Sequence, residues 1–296
     1  MAQTKLVWQS KLVLLLVLPF AAAGIVLQAH WFAVNLPQVA ISALGLCALF
    51  GLVVLKLRAG TPGAAFAGAV ITASLMFSTA IFPYRPWQTA LVPVLSVFLL
   101  SYCATRFGRE QKERMGTAEK RRGRTAAQVA ANLGVAALAC NEFVQSSLID
   151  SRWFSTASLA PMPLFAPALA ALAEAAADTV SSEVGQVLGG QPRMITTLRQ
   201  AEPGEDGAIS LAGTVAGIAA AGIVASAGSL ALSGGLPMLC VACAGGVFGL
   251  FFDSLLGATL ERCGWINNDA VNFLSTASAA AFALGILALL PHPAAG

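Results

Sequence analysis

Acidic and amide side chains recur through the second half of the chain at spacings that a helix turns into clusters. Ala173 to Gly190 reads A-E-A-A-A-D-T-V-S-S-E-V-G-Q-V-L-G-G, which places Glu174, Asp178 and Glu183 within ten positions. Glu174 and Asp178 stand i,i+4 and share a helix face, as do Asp178 and Ser182. A second acidic segment, F-D-S-L-L-G-A-T-L-E, contains Asp253, and Asn267, Asn268, Asp269 and Asn272 follow. Asn132, with Gln128, supplies amides further upstream. Carboxylates gathered in this way suit Mg²⁺, which takes one or two protein carboxylates together with waters and substrate phosphates.

Between the two acidic segments runs Pro203-Gly204-Glu205-Asp206-Gly207-Ala208-Ile209-Ser210, preceded by Arg193 and Arg199. Glycines there allow backbone N–H groups to turn toward an anion, and Ser210 with the following helix N-terminus offers further donors. The loop is neither a Walker loop nor G-x-G-x-x-G. Each feature also has a plain structural explanation: solvated acids at a helix end, N-capping by the asparagines and an ordinary Pro-Gly turn.

What must position these groups is a set of membrane helices. The chain is 57% hydrophobic and 10% charged, with a mean hydropathy of +0.76, whereas a soluble domain is about a quarter charged. Crossing an apolar layer about 30 Å thick takes roughly 20 residues of helix. Nine segments qualify, near 10 to 30, 38 to 55, 63 to 82, 87 to 104, 125 to 142, 162 to 180, 209 to 232, 237 to 260 and 271 to 290. The expected fold is all-α, a polytopic bundle of about nine spans with the N-terminus inside and the C-terminus outside. It reads as one membrane domain over 1–296, with N-terminal spans in 1–104, a basic loop at 105–124 and a motif-bearing core at 125–290.

With the N-terminus in the cytoplasm, Lys5, Lys11, Lys56, Arg58, the eight basic residues from Arg106 to Arg124, Arg193, Arg199 and Arg262 fall inside. Those are 15 of the 17 Lys and Arg, leaving only Arg85 and Arg152 outside, the asymmetry expected of cytoplasmic loops. The same asymmetry accounts for the net charge of +3 without nucleic acid as a partner. Trp8, Trp31, Trp87, Trp153 and Trp265, with Tyr84 and Tyr102, fall near predicted helix ends, where one ring edge is apolar and the other wet.

Lys11 to Leu27 has the pattern of either a cleavable leader or a first span, and is read as a span. Cys240-x-x-Cys243 has only His30 and His292 as possible histidine partners, too few for a zinc site. Gly213 to Gly217 and Gly245 to Gly249 match G-x-x-x-G and are read as helix-packing stripes. No internal repeat is visible, so an inverted-repeat transporter has no support here.

At the residues that could do chemistry, the chain resembles the DUF92 / TMEM19 integral membrane family, which includes phytyl-phosphate kinases. The matching blocks are Gly123-Arg124 through Asn132, Ala177-Asp178-Thr179 with Ser182 to Gly185, Pro203-Gly204 with Gly207 and Ser210 to Gly217, Asp253 to Ala258, and Asn268 to Phe273. The resemblance implies CTP-dependent phosphorylation of an isoprenoid alcohol or isoprenyl monophosphate, in a wider group with phytol and dolichol kinases. More distantly, the order acid, glycine loop, acid is similar to that of membrane cytidylyltransferases.

These readings combine into a Mg²⁺- and CTP-dependent kinase that converts an isoprenyl monophosphate to its diphosphate at the cytoplasmic face of a bacterial inner membrane. Asp178, Glu183 and Asp253 are then expected to hold the metal or activate the acceptor. Gly204, Gly207 and Ser210 would receive nucleotide phosphates, Arg124, Arg193 and Arg199 would neutralise their charge, and Asn132, Asn268 and Asn272 would position ligands. The partners are an isoprenoid lipid, a nucleoside triphosphate and the bilayer. A prenyl alcohol kinase, a cytidylyltransferase, a polyprenyl-phosphate transporter or flippase and a non-catalytic scaffold stand as alternatives. Prenyl chain length and oligomeric state are left open by the residues.

Overall fold

The structure is a computed structural model that describes residues 7–118, 122–150 and 165–289. Lys5, Lys120, Arg121, Arg152, Trp153 and His292, which enter the charge and aromatic patterns above, lie outside the described residues. The described chain is almost entirely helical, an all-α bundle.

In chain order the helices are α1 (Val7–Asn35), α2 (Pro37–Lys56), α3 (Pro62–Ser78), α4 (Leu91–Arg106), α5 (Arg109–Met115), α6 (Ala126–Cys140), α7 (Glu142–Asp150), α8 (Ala166–Leu188), α9 (Leu211–Ala231), α10 (Gly235–Leu256) and α11 (Asn268–Leu289). A two-stranded antiparallel ribbon, β1 (Arg193–Met194) and β2 (Ala208–Ile209), bridges α8 to α9. Side-chain caps start several helices: Thr61 accepts from the Ala64 amide, and Thr125 and Gln128 form a reciprocal capping box at α6. Ser210 caps α9 through the Gly213 amide.

Each of the nine apolar segments falls on a helix. Five helices (α1, α2, α9, α10 with the turn that follows it, and α11) are long and apolar enough to cross a membrane alone. A sixth span results if α4 and α5, bent by 62°, are taken together. The apolar helices α3 and α6, of 17 and 15 residues, are shorter. Helix α8 differs for another reason. It carries Glu174, Asp178 and Glu183, and it lies inside the protein, packed by α4, α6, α9, α10 and α11. Every residue from Ala166 to Ala177 is buried. A helix shielded by other helices can hold acids that a lipid-facing helix cannot.

Small residues make that central position possible, since lipid-embedded helices attract one another through close van der Waals contact. Both G-x-x-x-G stripes face it. A Cβ at Gly217 would stand 2.9 Å from the Ala177 carbonyl oxygen, and one at Gly249 would stand 2.5 Å from Glu174 Cγ.

Helix ends alternate so that the polar ones meet. Gln9 Nε2 donates to the Trp265 carbonyl (2.9 Å) and Ser10 Oγ donates to Asp269 Oδ2 (2.6 Å), joining the start of α1 to the start of α11. The Thr61 amide donates to the Arg124 carbonyl (2.9 Å), joining α3 to α6. Trp8 and Trp265 are exposed at this end, and Trp31 and Trp87 at helix ends elsewhere.

Candidate functional site

Where these ends converge, a polar cavity of about 1150 Å³ opens. Its floor comes from α8 and α10, whose aspartates need a tertiary fold to meet. Asp178, just past the middle of α8, and Asp253, one turn before α10 ends, face each other within hydrogen-bonding reach. Two like charges so placed require a proton or cation between them.

The remaining wall is rich in oxygen acceptors. Asp253 Oδ2, Asn272 Oδ1 and Gln186 Oε1 are buried, line the cavity and have no hydrogen-bond partner. Below them, both carboxylate oxygens of fully buried Glu174 are likewise unpaired. Ser275 lies beside Glu174, but its hydroxyl proton goes to the Asn272 carbonyl (3.1 Å). Buried orphan oxygens without orphan N–H groups mark a place for a cation or a donor-bearing ligand. Mg²⁺ fits the two carboxylates, since it is usually bound through one or two of them together with waters and substrate phosphates. Among the described residues no three His, Cys, Asp or Glu side chains are grouped to hold a metal ion, so the expected trio Asp178, Glu183 and Asp253 does not form one, and waters and substrate phosphates would have to complete the shell.

The loop between α8 and α9 forms one side. Gly207 has a φ of +78°, and any Cβ there would run into the backbone of Ala258, so only glycine lets the loop lie against the π turn Gly257–Glu261 that ends α10. The Ile195 amide donates to the Gly207 carbonyl (3.1 Å), and Glu205 pairs with Arg262 (3.0 Å), fixing the loop from both sides. Gly204 and Ser210 line the cavity with Gly207. Arg124 enters from the start of α6 and donates through Nη2 to Thr179 Oγ1 (3.1 Å).

Of the expected site residues, Asp178, Glu183, Asp253, Arg124, Asn132, Gly204, Gly207, Ser210, Asn268 and Asn272 all line this one cavity. Three take a different place from the one expected. Arg193 and Arg199 are exposed and outside the lining; Arg193 Nη1 donates to the Leu198 carbonyl (2.8 Å), because the β1–β2 ribbon turns that edge outward. Glu183 touches the cavity, but its Oε2 is held by Lys112 Nζ at 2.5 Å. That lysine is fully buried and also donates to the carbonyls of Ala104 and Thr105. Glu183 therefore anchors α5 to α8 instead of standing free for a metal.

N-capping proves to be the task of Asn267, whose Oδ1 accepts from the Ala270 amide (2.9 Å), while Asn272 reaches the cavity. Sequence reasoning left Gln186, Glu205, Asp206 and Glu261 unassigned, although all line the cavity. The pair Glu205-Asp206 inside the glycine loop was the available signal. For Lys112 there was none, its partner being 71 residues away.

All five sequence blocks that carried the resemblance contribute to this lining. Residues 45–280 match the family model described as integral membrane protein DUF92. The chain belongs to the DUF92 family. An uncharacterised membrane protein of Methanocaldococcus jannaschii is 42% identical over 108 residues, 36% of this chain and 45% of the relative. A second, from Synechocystis, is 32% identical over 204 residues, covering 68% and 74% of the two chains. Protein VTE6 of the Arabidopsis thaliana chloroplast is 30% identical over 186 residues, covering 62% of this chain and 54% of its own. This DUF92 chain thus spans about half the length of two of these relatives. No solved structure matches it significantly.

Proposed function

We propose that this DUF92 protein is a Mg²⁺- and CTP-dependent kinase that phosphorylates an isoprenyl monophosphate to the diphosphate. What carries the reading is the facing pair Asp178 and Asp253, set among unpaired oxygen acceptors beside a glycine loop and Arg124 at the end of a membrane bundle. The phytyl-phosphate kinases within the family, and the identity to VTE6, support the same reaction class.

Asp178 and Asp253 would hold the metal, with the Asn272 amide oxygen beside them. When bound, Mg²⁺ neutralises charge on the transferring phosphoryl group. Backbone groups of Gly204 and Gly207, with Ser210, border the space for the nucleotide phosphates. Arg124 supplies a guanidinium for two parallel hydrogen bonds to a phosphate, and Asn132 and Asn268 complete the wall. An oxygen of the acceptor phosphate attacks the terminal phosphorus of CTP, a new P–O bond forms, and the bond to the β-phosphate breaks to release CDP. The acceptor is already ionised, so positioning and charge matter more than a strong base.

Incubation of the purified protein with γ-labelled CTP, Mg²⁺ and a panel of prenyl alcohols and monophosphates tests this. Label is expected in a prenyl diphosphate. Transfer to alcohols alone makes it an alcohol kinase, incorporation of the cytidylyl group makes it a cytidylyltransferase, and no transfer with any lipid removes the kinase reading. CTP at a hundredfold excess over Kd should stabilise the fold by about 2.7 kcal/mol, read as a higher Tm.

A cytosolic nucleotide also requires that this end of the bundle face the cytoplasm. Cysteines introduced as Arg114→Cys and Gln200→Cys, in a background without exposed native cysteines, report on it. An impermeant maleimide is expected to label neither in intact cells and both after permeabilisation. Efficient labelling of both from outside would reverse the topology.

A further inference from the structure

A second cavity, of about 980 Å³, adjoins the first and is apolar where the first is polar. It exists because α4 packs mainly against α8 and α9, while α3 packs against α1, α2 and α6, so a groove is left where the two groups diverge. Phe50 of α2 meets Phe98 of α4 edge-on across it, with ring centres 5.2 Å apart. Phe98 stacks on Tyr102 (5.8 Å), and the Arg106 guanidinium lies 4.5 Å over the Tyr102 ring. Along α4 the lining thus passes from Val94 through aromatics to arginine, a length of about 18 Å at 1.5 Å per residue.

Charge is confined to one end. Arg58, Arg106, Arg109 and Arg124 rim the groove there, without any acidic residue in its lining among the described residues, and the buried hydroxyl of Ser101 lacks a hydrogen-bond partner. Arg124 and Asn132 line both cavities, so they form the wall through which groove and polar site communicate.

We infer that this groove holds the acceptor lipid, its prenyl chain between α2, α3 and α4 and its monophosphate on the arginine rim at Arg124. The inference rests on the kinase reading and adds where the acceptor sits. A phosphate monoester carries close to two negative charges at neutral pH, and a guanidinium fork matches its geometry. Arg109 already pairs with Glu113 (2.9 Å), whereas Arg58 and Arg106 form no ion pair among the described residues, and an alcohol would bring them no counter-charge. A free nucleotide would have no use for the apolar end. Placed in this way, the acceptor phosphate lies at the edge of the cavity that contains Asp178 and Asp253, while its chain never leaves apolar surroundings.

Gly68 provides the probe variant: it lines the groove, and a Cβ there would make only ordinary contacts, 3.7 Å to Val129 and 4.0 Å to Phe50. In Gly68→Leu the rest of the side chain must occupy the groove. A radiolabelled prenyl monophosphate with a diazirine at its chain terminus, used on full-length protein in phosphatidylcholine nanodiscs, reads the result. Cross-links are expected on the groove faces of α2, α3, α4 or α6, to fall at least fivefold in Gly68→Leu and in Val97→Phe, while the rise in Tm caused by CTP stays the same. The unphosphorylated alcohol should compete at least tenfold less well than the monophosphate, and inorganic phosphate should not remove the cross-links.

Cross-links spread over the outer faces of α1 and α9, or unchanged labelling in both variants, would overturn the inference; the wild-type map decides even if a variant misfolds. The two readings separate cleanly. Groove labelling without phosphoryl transfer keeps the groove and removes the kinase. Transfer that survives both groove-filling variants keeps the kinase and removes the groove.

Discussion

Replacing Asp253 with asparagine is expected to lower phosphoryl transfer at least tenfold while leaving the bundle folded. Asparagine preserves size but removes the charge that, with Asp178, would hold Mg²⁺. Tenfold corresponds to only about 1.4 kcal/mol of transition-state stabilisation, a floor beside the several kcal/mol that a metal's charge supplies. Folding should survive because Asp253 Oδ2 is buried without a hydrogen-bond partner, so the native state loses no bond at that atom and sheds a costly charge. Asp178→Asn should behave in the same way. Glu142→Gln is the control, since Glu142 follows the far end of α6, about 22 Å of helix from Arg124, and activity should persist. An Asp253→Asn protein that folds, binds CTP and turns over normally would remove this acid from the site. One that fails to fold would make Asp253 a structural partner.

Lys112→Met is expected to destabilise the protein by about 3–5 kcal/mol, the usual consequence of leaving one member of a buried ion pair alone. Here the abandoned group is Glu183, whose side chain is 11% exposed against 0% for Lys112. Three hydrogen bonds from Nζ, to Ala104, Thr105 and Glu183, disappear together. In detergent the Tm should fall by roughly 10 °C. Adding Glu183→Gln should recover most of both stability and turnover, because methionine with a neutral amide leaves no buried charge. A stable but inactive double variant would return Glu183 to the reacting groups. An unchanged Tm in Lys112→Met would show that the pair contributes nothing to the fold.

Much of the architecture was legible in local pattern. The apolar segments became helices because hydropathy and capping act over a few residues, as at Thr61 and Ser210. Asn272 could not be told from Asn267 by sequence, since both are amides near a helix start. Only the fold shows that Asn267 caps α11 while Asn272 faces the cavity. Arg193 and Arg199 looked suited to phosphate because they flank a glycine loop, but the pairing of Arg193 with Ile209 in the ribbon sets which way that edge faces.

By itself, the sequence determined that the chain lives in a membrane, where its helices run, and that the 203–210 loop, Asp253 and Asn272 fall near helix ends or in the loops between them, with Asp178 on the helix that precedes the loop. Those properties follow from residue type, from spacing along one helix and from the alternation of helix direction. Tertiary structure decided that α8 is shielded by its neighbours, that Asp178 meets Asp253, that Glu183 belongs to Lys112, and that an apolar groove reaches Arg124. These depend on packing between segments tens of residues apart. In a bilayer, moreover, the residues that line a groove and those that face lipid are drawn from the same apolar set, so composition cannot tell them apart until the helices are packed.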